Sequence, residues 1–258
     1  MSYLVVPGSF APKCPKYTKG RTSQNVHSIS YHRCNFNCEF CFFKYYKHTN
    51  NYVDFSAEEF EELVNKLLLT GQMFKFTGGE PTLNPELERD LSIVKQAGGT
   101  CFLDTNGSFP MLIEKLIQTN LVDLFGISLK GLSAAEALKR SGARNEESCW
   151  GNVLKSISII SNNSAADLIV TYVCYDDFET RYLDEFAHIL LKYQNVFLKI
   201  NNYQPNEDHP TPNLRPQEPL LLADMIESYV KEHPIWKGRV TLVNGPKAIS
   251  DASEIIWI

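Results

Sequence analysis

The chain has 258 residues, of which 43% are hydrophobic and 21% charged, with a formal net charge of −5 at pH 7. That length suits one large α/β domain, since such barrels commonly reach about 250 residues, and the composition is that of a globular protein with a sizeable core. Three classes drop out: no apolar run approaches the roughly 20 residues of a membrane span, the acidic balance argues against broad nucleic-acid binding, and the seven cysteines, with too few apolar residues at Met1–Pro7 for a secretory signal, point to a reducing cytoplasm rather than a disulfide framework.

The charge is uneven. Residues 1–50 carry +6, with Glu39 as their one acid, and the rest of the chain carries −11. Residues 1–25, broken by Pro7, Gly8, Pro12, Pro15 and Gly20, read as an irregular N-terminal extension. From there strand and helix patterns alternate, which predicts a parallel sheet with crossover helices. The strands are Val26–Tyr31, Met73–Thr77, Thr100–Asp104, Val122–Leu129, Leu168–Val173 and Val196–Ile200. Helices start at the capping boxes Ser56–Glu59 and Ser133–Glu136, at Asn84-Pro85 and at Pro110, and cover about 150–161 and 179–193. After six βα units come five prolines between Pro205 and Pro219, a last helix near 218–231 and a strand at Arg239–Val243. The expected organisation is therefore an extension (1–25), a core (26–200) and a C-terminal extension (201–258) packed on that core.

Directly after the first strand stands Cys34-Asn-Phe-Asn-Cys38-Glu-Phe-Cys41. Three thiolates this close suit three irons of a cubane iron–sulfur cluster, leaving a fourth iron open to a ligand. Two other readings compete: a zinc site completed by Cys14 or His32, and an electron-transfer cluster closed by Cys14 or Cys101. The end of the second strand carries Thr77-Gly78-Gly79-Glu80-Pro81. Its glycines permit close backbone approach or positive φ, and Glu80 can accept a charge-assisted bond from an ammonium. Ligand sites of parallel barrels lie at the C-terminal strand ends, where both motifs fall. Tyr172, Cys174 and Lys199 to Asn202 fall at later strand ends and are expected to line a substrate cavity.

The CxxxCxxC spacing with Phe40 before its last cysteine, followed by the Gly-Gly-Glu-Pro turn, resembles the radical SAM superfamily. The resemblance covers roughly residues 26–200 and implies a partial (β/α)6 TIM-like barrel. It also implies a [4Fe–4S] cluster on Cys34, Cys38 and Cys41 whose fourth iron binds S-adenosylmethionine. Reductive cleavage of that cofactor would give a 5′-deoxyadenosyl radical that abstracts hydrogen from a substrate. By the same resemblance Gly78, Gly79 and Glu80 meet the cofactor's amino group, and Phe40 and Phe42 its adenine. Asn106 in Asp104-Thr105-Asn106-Gly107, with Ser128 and Lys130 in Ser128-Leu129-Lys130, meets its carboxylate or ribose.

These last two segments are similar to those of glycyl-radical-enzyme activases, although Ser128 replaces an acidic residue and Phe42-Phe43-Lys44 replaces the usual segment after the third cysteine. The implied activity is an oxidoreductase of activase type acting on a protein glycine. Radical modification of a peptide, nucleotide or other small molecule is the second enzyme reading, and a non-catalytic electron-transfer protein the third. The basic segment beside the cysteines is matched to an acidic reductant such as a flavodoxin or ferredoxin.

Overall fold

Among the described residues the apolar strands, alternating with capped helices, form one curled, ten-stranded sheet. The computed structural model describes residues 2–6, 26–41, 43, 52–163, 166–193, 195–205, 211, 213–244 and 255–257. The strands are β1 Ser2–Val6, β2 Val26–Tyr31, β3 Val53–Asp54, β4 Met73–Gly78, β5 Thr100–Thr105, β6 Leu124–Ser128, β7 Asp167–Cys174, β8 Val196–Asn202, β9 Val240–Val243 and β10 Ile255–Trp257. The helices are α1 Ala57–Leu68, α2 Leu87–Gln96, α3 Pro110–Gln118, α4 Ala134–Ser141, α5 Asn152–Ser161, α6 Arg181–Leu190 and α7 Pro219–Glu232.

Strands β2, β4, β5, β6, β7 and β8 pair in parallel in that order, the arrangement expected of six βα units. The sheet goes further than six strands. β9 adds a seventh parallel strand beside β8, with Lys199 opposite Thr241. Antiparallel strands lie at both ends: β1 runs along β2 with Tyr3 opposite Tyr31 and β3 runs along β1, while β10 runs along β9. The irregular reading of residues 1–25 thus fails at Ser2–Val6, which forms a strand between β2 and β3; residues 7–25, Cys14 among them, lie outside the described residues.

Side chains alternate across each strand, so the sheet has two distinct faces. The outer face holds Ile29, Phe74, Phe76, Leu103, Phe125, Ile127, Val170 and Leu198, packed under the helices in the main core. The inner face begins with an apolar floor of Val26, Met73, Phe102, Leu124 and Ile169, joined by Phe197. One residue from each of the six strands meets there, from β2 to β8. A sheet whose first and sixth strands share one cluster is curled into a partial barrel. Above the floor the inner face turns polar, with Ser28, Ser30, Lys75, Thr77, Asp104, Thr171, Lys199 and Asn201 on alternate positions.

Local signals behave as their chemistry dictates, with two corrections. Ser56 and Glu59 form a complete capping box at α1. At α4, Ser133 accepts from the Glu136 N–H, but the Glu136 carboxylate takes the Leu132 N–H instead of closing the box. Asn84 does not cap α2: its side chain accepts from Glu86 N–H in a turn, and the helix starts at Leu87.

Phe125 is fully buried between β6 and the helices. Phe125→Ala should cost about 3–5 kcal/mol, the usual cost of an aromatic truncation in a core, read as a lowered midpoint in denaturant titration.

Candidate functional site

The C-terminal ends of the strands surround a cavity of about 230 Å³ lined by Cys34, Cys38, Cys41, Phe36, Phe40, Phe43, Thr77, Gly78, Gly79, Glu80, Asp104, Thr105, Asn106, Ser128, Lys130 and Val173. Ten of the eleven site residues expected from the sequence meet there. The eleventh, Phe42, lies outside the described residues.

The two motifs are joined by backbone. The Gly79 N–H donates to Tyr31 O (2.7 Å) and the Glu80 N–H to Arg33 O (2.6 Å), fastening the turn after β4 to the root of the cysteine loop. Gly78 has φ +99°, a conformation that favours glycine, and a Cβ at Gly79 would stand 2.2 Å from Arg33 O. The glycines are thus required by the chain's own close approach, before any ligand is considered.

Glu80 is 1% exposed, and its carboxylate is already engaged. Oε1 accepts from Thr82 N–H (3.1 Å), Thr82 Oγ1 (2.5 Å) and Thr105 Oγ1 (2.5 Å), while Oε2 accepts from Asn106 N–H (2.6 Å). Burial pushes its pKa up, and the hydrogen bonds from Thr105, Thr82 and Asn106 work against that. The carboxylate expected to meet an ammonium therefore also staples β4 to β5. Asn106 is engaged too: its amide nitrogen donates to Asn35 Oδ1 (2.8 Å) in the cysteine loop, and its oxygen accepts from Ser108 N–H.

The far side of the cysteine loop rests on α4. Asn37 N–H donates to Ser141 O and Glu39 N–H to Arg140 O. A small apolar cluster of Phe36, Cys38, Ala137 and Cys149 fills the space beneath. Arg140, which the sequence did not single out, is 5% exposed. Its guanidinium lies over the rings of Phe40 (5.4 Å), Tyr172 (4.6 Å) and Tyr175 (4.3 Å) and donates to Glu136, Tyr172 Oη and Val173 O. Lys130 Nζ also lies over the Phe40 ring, 5.4 Å from its centre. The signal for Arg140 was its i,i+4 spacing from Glu136, which reads as an ordinary exposed pair until β7 covers it.

Burial pushes the thiols of Cys34 and Cys38 up, Cys38 being opposed chiefly by Lys130. Among the described residues no three His, Cys, Asp or Glu side chains converge on a point where a single ion would bind. Three soft donors on one wall of a shared cavity do fit a cluster, where each sulfur takes a different iron. Of the alternative fourth ligands, Cys101 is fully buried on the outer face with its thiol on Leu91 O, and His32 packs edge-on to Tyr52. Cys14 lies outside the described residues.

The later strand ends need a correction. Tyr172, Cys174, Ile200 and Asn202 face the helices, because alternation assigns Thr171, Val173, Lys199 and Asn201 to the lumen. Cys174 is 1% exposed, and its thiol is pushed up to about 12, first by burial, which suits a core thiol.

Fold and cavity together define a partial α/β barrel with a thiol-lined site at the C-terminal ends of its strands. The chain belongs to the radical SAM superfamily, whose sequence profile matches residues 28–188. That superfamily uses a [4Fe–4S] cluster and S-adenosylmethionine. A S-adenosylmethionine-dependent nucleotide dehydratase of Lacinutrix mariniflava is 29% identical over 132 residues, 48% of this chain and 27% of that protein. A Methanocaldococcus jannaschii protein named as a glycyl-radical enzyme activating enzyme is 30% identical over 132 residues, 49% of this chain and 46% of that one. The match thus spans less than half the length of either relative. The fold is shared with Streptococcus suis SuiB bound to S-adenosylmethionine, at TM-score 0.66 and 14% identity over 84% of this chain and 49% of that one. It is shared as well with a radical SAM methyltransferase from Sphaerobacter thermophilus, at TM-score 0.63 and 13% identity over 91% and 71% of the two chains. Among the described residues no helix is long and apolar enough to cross a membrane.

Two outcomes follow from this geometry. Gly79→Ala should dislodge the cysteine loop and sharply reduce the iron and sulfide retained after anaerobic reconstitution, while circular dichroism stays native. Because Cys34 and Cys38 have raised pKa values and must lose protons to bind metal, iron uptake should improve as pH rises from 7 toward 9, measured as iron per chain against pH.

Proposed function

We propose that this chain holds a [4Fe–4S] cluster through Cys34, Cys38 and Cys41 and S-adenosylmethionine against the opposite wall of the same cavity. The observation that carries this reading is the convergence of the cysteine loop and the Gly78–Glu80 turn on one cavity at the strand ends. When bound, the cluster and cofactor supply reductive cleavage to a 5′-deoxyadenosyl radical able to take a hydrogen atom from substrate.

The chain's own residues bind, orient and exclude. Gly78 and Gly79 present backbone at the cavity wall, and Glu80 adds a negative edge suited to the cofactor's ammonium. Lys130 supplies the positive charge that suits its carboxylate. Ser128 and Asn106 add polar edges, and Phe40, which lines the cavity near Lys130 and Arg140, offers an apolar surface for the adenine. Phe42, next to it, is assigned the same neighbourhood. The helix-covered outer face and the apolar floor close the cavity from below, which limits water at the site of hydrogen transfer. An acidic one-electron donor of flavodoxin or ferredoxin type fits the positive charge of residues 1–50.

Two substrate classes stand behind this chemistry. An activase reading, with a partner protein's glycine as substrate, is supported by the Asp104–Gly107 and Ser128–Lys130 segments and by the name of the Methanocaldococcus relative. A small-molecule reading is supported by the nucleotide dehydratase relative and by the polar lumen beneath the cavity.

Reconstituted protein given dithionite and S-adenosylmethionine should release 5′-deoxyadenosine, detected by liquid chromatography. Cys34→Ala, Cys38→Ala and Cys41→Ala should each abolish cluster absorbance and product together. A cluster-loaded wild-type protein that forms no 5′-deoxyadenosine would rule out this function.

A further inference from the structure

Beside the cysteine loop lies a buried cation that the proposed function leaves without a task. Arg140 stands in the last turn of α4, and its side chain is 6% exposed. Nη1 donates to Glu136 Oε1 (2.9 Å) and to Tyr172 Oη, and Nη2 donates to Val173 O. The guanidinium also lies over the rings of Tyr175, Tyr172 and Phe40. Its Nε is buried and has no hydrogen-bond partner among the described residues. A guanidinium is not deprotonated in proteins, so this group is a permanent positive charge held in one place by its donors. Lys130 lines the cavity, whereas Arg140 does not.

Its surroundings do not cancel that charge at the cysteines. The side chain of its partner Glu136 is 26% exposed, and the more exposed member of a pair is the better screened by solvent. The end of α4 turns its carbonyls toward the loop: Arg140 O accepts from Glu39 N–H (3.3 Å) and Ser141 O from Asn37 N–H (2.9 Å). A helix C-terminus carries partial negative charge, which disfavours further negative charge nearby, and a cation in its last turn offsets it. Cys38 feels both cations: burial raises its thiol, while Lys130 and, more weakly, Arg140 act to lower it. Across the site, Glu80 acts on Cys34 in the opposite sense. The field at the cysteines is thus positive from the α4 side and negative from the β4 side.

We propose that Arg140 sets the reduction potential of the cluster held by the three cysteines, its buried charge stabilising the reduced form. This rests on the cluster of the proposed function and concerns the control of that same site. Reduction adds one electron from a donor of flavodoxin or ferredoxin type and moves no proton, so the two forms differ by one unit of negative charge. A fixed cation held out of water favours the more negative form. Lys130 loses that effect once a carboxylate pairs with it in the cavity. Arg140, outside the cavity, keeps its effect with the cavity filled or empty. It touches neither cofactor nor substrate and acts through its charge alone.

The test is a dye-mediated redox titration of the reconstituted protein without S-adenosylmethionine, read by electron paramagnetic resonance of the reduced cluster, with iron and sulfide measured on every sample. At the parent's midpoint, Arg140→Met should lower the ratio of reduced to oxidised cluster about tenfold, which is ~59 mV for a one-electron couple. Arg140→Lys, which keeps the charge, should stay close to the parent. Glu136→Gln, which removes the opposing charge, should raise the ratio several-fold. A purely structural role changes how much cluster is retained and does not order the midpoints by charge. The proposal is overturned if Arg140→Met leaves the midpoint in place, or if Arg140→Met and Glu136→Gln move it in the same direction. Where Arg140→Met retains too little cluster to titrate, Glu136→Gln decides, and a midpoint that is unmoved or more negative overturns the proposal. Release of 5′-deoxyadenosine is scored separately on the parent. A parent that holds its cluster and releases none sinks the radical reading and leaves the role of Arg140 standing, whereas release with midpoints indifferent to charge sinks the role of Arg140 alone.

Discussion

Everything at the open end of this barrel depends on how closely two stretches of backbone approach each other. The turn after β4 lies against Tyr31–Arg33 with its N–H groups bonded to Tyr31 O and Arg33 O, and any side chain at Gly79 would collide with Arg33 O. The cysteine loop begins at the next residue. Its position is thus fixed by a contact that only glycine allows, and not by the cysteines themselves. From that seat, Glu80 reaches inward and gathers donors from Thr82, Thr105 and Asn106, so the ends of β4 and β5 move as one body with the loop.

The same sheet solves two opposite problems on its two faces. Outward, Phe74, Phe76, Phe125 and their neighbours bury apolar surface under six crossover helices, which supplies the bulk of the stabilising burial. Inward, an apolar floor seals one end, and above it the side chains become small, polar or charged. A lumen filled to the top with branched side chains would be more stable and would bind nothing. Here the ion pair between Lys75 and Asp104 places charge on the inner face where the outer face is apolar.

Most of the architecture was legible in the sequence because its signals are local. Apolar runs marked the parallel strands, Ser56–Glu59 marked a helix start, and the two motifs at the strand ends marked the cavity. The parts that were not legible depend on tertiary neighbours. Ser2–Val6 becomes a strand by pairing with β2 on one side and β3 on the other. Tyr172 and Cys174 were placed in the lumen from their position along the chain, but which face a strand-end residue takes is set by register, and a step of one residue reverses it. Glu80 and Asn106 were read as free to meet a ligand; their partners Thr105 and Asn35 lie 25 and 71 residues away and leave no mark on the local pattern. Arg140 escaped notice for the same reason, its aromatic surroundings coming from two distant segments, the cysteine loop and the end of β7.

The bonds from Asn37 and Glu39 to the end of α4 set an order of events in biosynthesis. The cysteines leave the ribosome about a hundred residues before Ser141, and until α4 has formed and docked on β7 the loop has only one of its two supports. Long-range closures of this kind form late in folding, since chain entropy opposes them until the intervening elements are in place. The thiols are therefore synthesised early but arranged late, and the protein becomes competent to receive its metal only after more than half of the chain has folded.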